Sequence, residues 1–187
     1  MSILLIGNDI IDLSLSKTAS NWLREGFLEK QFTANEQQLI LEASNSFIMV
    51  WKLWSMKESS YKIYVQKNAK RFFSPKKFEC KLISKNEGVV SFQNHIYYTN
   101  TLINTLFIHT IANSKKDKKN YSEISSPFNV EKNIKKKLEK LSGFPSLEIR
   151  KTKTKNGVPN FYFKHKLLTK SCSISHHGNY GAFSLLV

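Results

Sequence analysis

Residues 45–66 read NSFIMVWKLWSMKESSYKIYVQ, and this stretch decides the fold. It is the strongest helical segment of the chain, dense in aromatic side chains (Phe47, Trp51, Trp54, Tyr61, Tyr64). Ser74-Pro75 closes it, because the residue before a proline is pushed out of the helical region. Upstream, residues 20–43 are expected to be helical, with Trp22, Leu23, Phe27 and Leu28 at helical spacing. Phe32-Thr33-Ala34-Asn35-Glu36 interrupts them as a turn. Thr33 with Glu36 is a capping-box pattern, so a new helix starts there. Before these, residues 2–6 and 10–13 are apolar and rich in isoleucine and leucine. They read as a buried strand broken at Gly7-Asn8-Asp9.

Downstream of the long helix the sequence becomes β-like. Phe78–Ser84, Gly88–Gln93, Ile96–Asn100 and Thr105–Asn113 read as strands. In the last, Leu106, Ile108, Thr110 and Ala112 alternate with Phe107, His109 and Ile111. Ser114–Ser126 is polar, carries Lys115, Lys116, Lys118 and Lys119, and reads as a linker. Residues 130–141 form a short basic helix that ends near Gly143 and Pro145. Leu147–Lys153, Phe161–Lys164 and Cys172–His176 read as strands, with Ala182–Val187 as the partner of the last. Helix followed by antiparallel strands thus occurs twice. The expected class is α+β: two pseudo-equivalent lobes, 1–113 and 121–187, each of helices packed on a small antiparallel sheet, together one compact unit.

Of the 187 residues, 41% are apolar and 12% aromatic, enough for a real hydrophobic core. No stretch is long and apolar enough to span a bilayer, so no membrane partner is expected. The opening MSILLIGNDIIDL carries acids where a signal peptide carries basic residues, and it lacks a small-residue cleavage site. A cytoplasmic location is expected. Cys80 and Cys172 have no metal or redox spacing and read as buried or idle thiols of a reducing compartment. Net charge is +15 and pI about 9.8, a balance that favours anionic partners: nucleic acid, anionic lipid, phosphorylated cofactors or acidic proteins. Arg24, Arg71 and Arg150 are the only arginines, whereas bidentate reading of phosphate or guanine prefers arginine.

Three groups of residues carry chemistry. Asp9 is an acid inside an apolar strand, and a buried carboxylate is costly unless paired or bound to a cation. Mg2+ takes few carboxylates, with waters and substrate phosphates completing its shell, which suits Asp9. A turn-capping aspartate is the plainer reading. Alternation places Asp9 and Ile11 on one face of the strand and Asp12 on the other. In the long helix, Glu58 and Lys62 are four apart and share a face. They read either as an ordinary helix ion pair worth about 0.2–0.5 kcal/mol, or as a metal-binding carboxylate with a lysine beside a phosphate. Gly157-Val158-Pro159 and Ser173-Ile174-Ser175-His176-His177-Gly178 place hydroxyls and imidazoles at strand ends. They read as a phosphate-holding rim or as a hairpin turn with surface histidines. A zinc site at His176-His177 is rejected, since adjacent strand residues point apart and no third ligand is well spaced.

Together and in this order, Gly7-x-Asp9-Ile10, Trp54-x-x-Lys57-Glu58-Ser59-x-x-Lys62 and Ser173-Ile174-Ser175-His176 resemble the 4′-phosphopantetheinyl transferase superfamily. The helix motif is the most specific. The motif order is similar to that of the short holo-acyl-carrier-protein synthase group, and Phe32–Glu36 resembles that group's Phe-Thr-x-x-Glu turn. The resemblance implies a Mg2+-dependent transfer of phosphopantetheine from coenzyme A to a serine of an acidic apo carrier protein, with release of 3′,5′-ADP. It implies Asp9 and Glu58 as metal ligands, Glu58 and Lys62 as catalytic residues, and Lys62, Pro159, Ser175 and His176 as contacts of coenzyme A. Two positions depart from the pattern. Ile11 stands where two-lobed members place a second acid, and Val158 stands where many place a lysine. Short members form the site between subunits of a trimer. Here the second lobe is expected to replace the neighbour, giving a monomer with the site between lobes, and a trimer as the alternative.

Two rival readings remain. A basic nucleic-acid-binding protein would bind DNA or RNA salt-sensitively without Asp9, but the basic runs lack interleaved aromatics and no nucleic-acid motif is present. A non-catalytic relative would bind coenzyme A or a carrier protein, but Asp9, Glu58 and Lys62 are all intact.

Overall fold

The computed structural model describes residues 4–68, 72, 74–116 and 120–187. Strand β1 (Ile6–Asp12) leads into α1 (Leu13–Ala19), followed by α2 (Phe27–Gln31), α3 (Ala34–Glu42) and the long α4 (Ser46–Lys67). Four strands follow: β2 (Glu79–Leu82), β3 (Glu87–Phe92), β4 (His95–Ile103) and β5 (Phe107–Asn113). Then come β6 (Tyr121–Ser125), α5 (Val130–Ser142), β7 (Ile149–Lys153), β8 (Pro159–Phe163), β9 (Lys166–Leu167), β10 (Ser171–His177) and β11 (Tyr180–Leu186). Helices and antiparallel sheets are mixed, as the α+β reading requires.

Local chemistry accounts for the element ends. The Asp12 carboxylate accepts from Ser14 N at 3.0 Å and Leu15 N at 3.2 Å and starts α1. The capping box at α3 is present on both sides: Thr33 N donates to Glu36 Oε2 at 2.8 Å, and Glu36 N to Thr33 Oγ1 at 3.4 Å. Asn45 caps α4. The helical stretch expected over 20–43 is divided, because Gly26 takes φ 74° ahead of α2 and no regular helix continues through that conformation. The strand expected to break at Gly7-Asn8-Asp9 runs unbroken as β1. Gly7 serves close packing instead: a Cβ there would fall on the carbonyl oxygen of Ser59 in α4. The segment expected to be a linker over 114–126 contains β6, which pairs antiparallel with β11. Its side chains are largely exposed, so no apolar alternation marked it as a strand. Lys118 and Lys119 of that segment, Arg71, and the first residues of the 2–6 strand lie outside the described residues.

One sheet has the order β1-β5-β4-β3-β2, all antiparallel. α4 packs on it through Val50, Leu53, Met56 and Ile63, burying Ile11, Val90, Ile108 and Ala112. A second cluster joins Val130, Ile134 and Leu138 of α5 to Ile149, Phe161, Cys172, Phe183 and Leu185, across the sheets β10-β11-β6 and β7-β8-β9.

Side chains make the joint between these parts. One edge of β1 pairs with β5; β10 runs along the other edge at a constant offset of 165 residues. Ile6 N donates to Ser171 Oγ at 3.0 Å, Asn8 N to Ser173 Oγ at 2.9 Å, and Asp12 N to His177 Nδ1 at 3.0 Å. The carbonyls of the same edge are met from α4: Gln66 Nε2 donates to Ile6 O at 2.6 Å, and Lys62 Nζ to Asn8 O at 2.7 Å. Buried backbone groups that lack a paired strand are thus satisfied by hydroxyl, imidazole, amide and ammonium groups.

Candidate functional site

β1 turns its odd-numbered residues toward α4. Gly7 abuts Ser59, and Asp9 Oδ1 accepts from Lys62 Nζ at 3.1 Å. Ile11 continues this face into the core, and Asp12 lies on the other side, as strand alternation predicts. Asp12 is occupied there: its Oδ2 accepts from Asn179 N at 3.0 Å, and a Cβ on Gly178 would collide with it.

Glu58 stands one helical turn before Lys62. Burial, then the neighbouring Asp9 charge, push its carboxyl up to about 7, while Lys62 opposes the rise. A cleft of about 270 Å3 opens here. One wall is the face of α4 bearing Glu58, Tyr61, Lys62, Val65 and Gln66; the facing wall is the ridge 156–159, with Cys172, Ser173 and Ile174 of β10 between. Beyond the ridge lies a second hollow of about 360 Å3, edged by Phe128, Glu131, Lys151, Lys153 and His176. The two hollows share Gly157, Pro159 and Ile174. Phe128, at the edge of this hollow, is 95% exposed.

The fold therefore brings Glu58 and Lys62 to one cleft, with Asp9 behind Lys62 as its ion-pair partner, Pro159 on the far wall and His176 beyond it. Ser175 lines neither hollow. It is buried, and with the Asn8 amide oriented so that both its ends are satisfied, Asn8 Nδ2 donates to Ser175 Oγ at 2.8 Å. Val158 also lines the first cleft.

Several residues at the site carry no motif. Tyr61, Val65 and Gln66 follow Glu58 at helical spacings of three, seven and eight, so extending the helix face from Glu58 and Lys62 would have found them. His109 left no such signal. Its Nε2 has no hydrogen-bond partner among the described residues, and burial, then Lys62, push it down to about 4. Lys57, next to Glu58, turns away from the cleft and is buried against Glu36.

Among the described residues, no group of three or more His, Cys, Asp or Glu gathers as a protein-only metal cage. Asp9 and Glu58 instead offer two carboxylates, and after burial the Asp9 charge is the second cause that raises Glu58. That donor set fits a hard divalent cation that takes few protein oxygens and fills its shell with water and phosphate. Residues 5–112, more than half of the chain, match the family model described as the 4′-phosphopantetheinyl transferase superfamily. The matched span holds Asp9, Glu58 and Lys62 and stops before β6, α5 and the ridge. A comparison with curated proteins found no match.

Proposed function

The chain belongs to the 4′-phosphopantetheinyl transferase superfamily, and from that premise we propose that it moves the phosphopantetheine arm of coenzyme A onto a serine of an apo carrier protein. The observation that carries this reading is the meeting of Glu58 with the Lys62–Asp9 pair at one cleft, across whose ridge lies a lysine-edged hollow. Superfamily members use coenzyme A and typically a divalent metal, and act on carrier proteins. In this chain Asp9 and Glu58 would hold Mg2+, which neutralises the pyrophosphate and makes its β-phosphorus a better electrophile.

The residues divide the remaining work. The serine hydroxyl attacks the β-phosphate, the bond to the bridging oxygen breaks, and 3′,5′-ADP leaves. Glu58 is the candidate acceptor of the serine proton as well as a ligand; either role needs it ionised when the serine attacks. Lys62 sits beside Asp9 and supplies positive charge to the leaving phosphate. The second hollow suits the nucleotide end: Lys151 and Lys153 supply the charge that Val158 lacks, and His176 adds a donor. Pro159 shapes the ridge between the hollows. Ser175 acts through Asn8, keeping β10 in register under Ile174 and His176. The finer organisation belongs to the same proposal: two pseudo-equivalent lobes, 1–113 and 121–187, flank the site, and the cytoplasmic enzyme works as a monomer of the holo-acyl-carrier-protein synthase type.

The test is intact-protein mass spectrometry of apo carrier proteins incubated with this protein, coenzyme A and Mg2+, with and without chelator. The expected result is a chelator-sensitive gain of one phosphopantetheinyl group. No gain on fatty-acid, polyketide and peptide carriers alike would overturn the reading.

A further inference from the structure

The ridge that forms the far wall of the cleft is a small, self-closed turn. Gly157 N donates to Thr154 O at 2.8 Å, Thr154 N to Val158 O at 3.0 Å, and Val158 N to Thr154 Oγ1 at 3.1 Å. Gly157 takes φ 79°, which aims the turn toward α4. Across this gap Asn156 makes contact: its Nδ2 donates to Asn68 O at 2.8 Å and reaches Val65 O at 3.4 Å. Both acceptors belong to the C-terminal end of α4, where a helix runs out of intrahelical donors for its carbonyls. Asn68, the C-cap residue, is itself tied back to α4, its N and Nδ2 both donating to Tyr64 O, at 3.1 and 2.9 Å. An asparagine amide has two donors and matches a pair of converging carbonyls. The same helix carries Glu58 and Lys62 on the opposite wall of the cleft.

We propose that Asn156 is a positioning residue: it clasps the ridge 154–158 to the end of α4 and so sets the width of the cleft between Lys62 and the Val158–Pro159 wall. This rests on the transferase reading for its ligand, coenzyme A, and lies outside the span matched by the family model. The Asn156 amide is spent on backbone carbonyls at the end of α4, so its loss should act on binding of coenzyme A and spare the chemical step.

The experiment compares wild type with Asn156→Asp and Asn156→Ala. Coenzyme A affinity is measured by calorimetry, transfer by steady-state kinetics, and folding by circular dichroism. Asn156→Asp keeps the shape but sets a carboxylate against two carbonyl oxygens. It should weaken coenzyme A binding and raise KM by about tenfold, with kcat within about twofold of wild type. Asn156→Ala should show a smaller shift of the same kind. Unchanged affinity and KM in a folded Asn156→Asp, or a loss of kcat at constant KM, overturns the assignment. If wild type itself neither binds coenzyme A nor transfers, the transferase reading fails on its own account. The clasp is then read from hydrogen exchange: amides of 154–158 and 65–68 should exchange faster in Asn156→Asp, and equal rates overturn it.

Discussion

Glu58 illustrates how a single carboxyl can link activity to stability. The folded protein holds its proton up to about pH 7, whereas an unperturbed glutamate releases it near 4.5. Between these values the unfolded chain binds fewer protons, so stability falls as pH rises. The full cost, at most about 3 kcal/mol, is present above pH 7. In chelator, Glu58→Gln should therefore melt several degrees above wild type at pH 8, with the margin closing toward pH 5; a margin independent of pH would contradict this. The same variant, like Asp9→Asn, should lose transfer while keeping its circular dichroism spectrum, and normal turnover in both would remove these residues from the site. His109 has the opposite sign. It stays neutral in the fold down to about 4, while the unfolded chain takes up a proton near 6.5. Stability should thus fall as pH drops through that window, and His109→Gln should flatten the acid limb of the melting curve. At this scale the sequence was partly legible. Helix periodicity put Glu58 and Lys62 on one face and strand alternation parted Asp9 from Asp12, whereas the reading of Asp9, Glu58 and Lys62 as one site came from the order of the motifs and their family resemblance. The inward turn of Ser175 could not be read, since serine suits a solvated rim as well as a buried seam.

Among the elements, α4 depends on a buried pair whose members, Glu36 and Lys57, stand in two separate motifs, neither of which announces their contact. Lys57 Nζ donates to Glu36 Oε2 at 2.7 Å, Phe78 O at 2.6 Å and Pro75 O at 3.1 Å. Glu36 in turn accepts from Thr33 N at 2.8 Å and Cys80 N at 2.7 Å. The pair joins α3, α4 and the entry to β2, with both side chains at 2% exposure or less. Removing one partner strands a buried charge, so Lys57→Met should cost about 3–5 kcal/mol in urea unfolding. Combining it with Glu36→Gln should recover part of that loss; a double variant worse than the single would show that the pair is not the cause. The sequence exposed the Thr33–Glu36 cap because its two partners are three residues apart. It hid the Lys57 contact because that contact spans 21 residues and depends on how α3 meets α4. α1 was equally illegible: it has seven residues, and its cap, Asp12, is also the last residue of β1.

For the whole molecule, composition revealed the net charge of +15 but could not say where it gathers. The structure places Lys151 and Lys153 at the second hollow, where Lys151 pairs with Glu131, and engages others locally: Lys135 also pairs with Glu131, and Lys137 lies over the Tyr121 ring. Encounter with an acidic carrier should slow as salt rises, so its KM should climb with ionic strength while kcat holds; a flat KM would assign the lysines to simple solvation. Sedimentation should give a monomer, and a stable trimer would overturn the proposal that one chain supplies both sides of the site. The hydroxyl ladder between β1 and β10 also bears on how the protein is made. A nascent chain that has reached residue 165 already contains Asp9, Glu58 and Lys62, yet β1 still presents Ile6, Asn8 and Asp12 amides with their serine and histidine acceptors not yet synthesised. Contacts of such long sequence separation close late and slowly, and until they do the bare strand edge invites pairing with other chains. Maturation of the site and escape from aggregation are therefore the same event, the arrival of Ser171–His177 alongside β1.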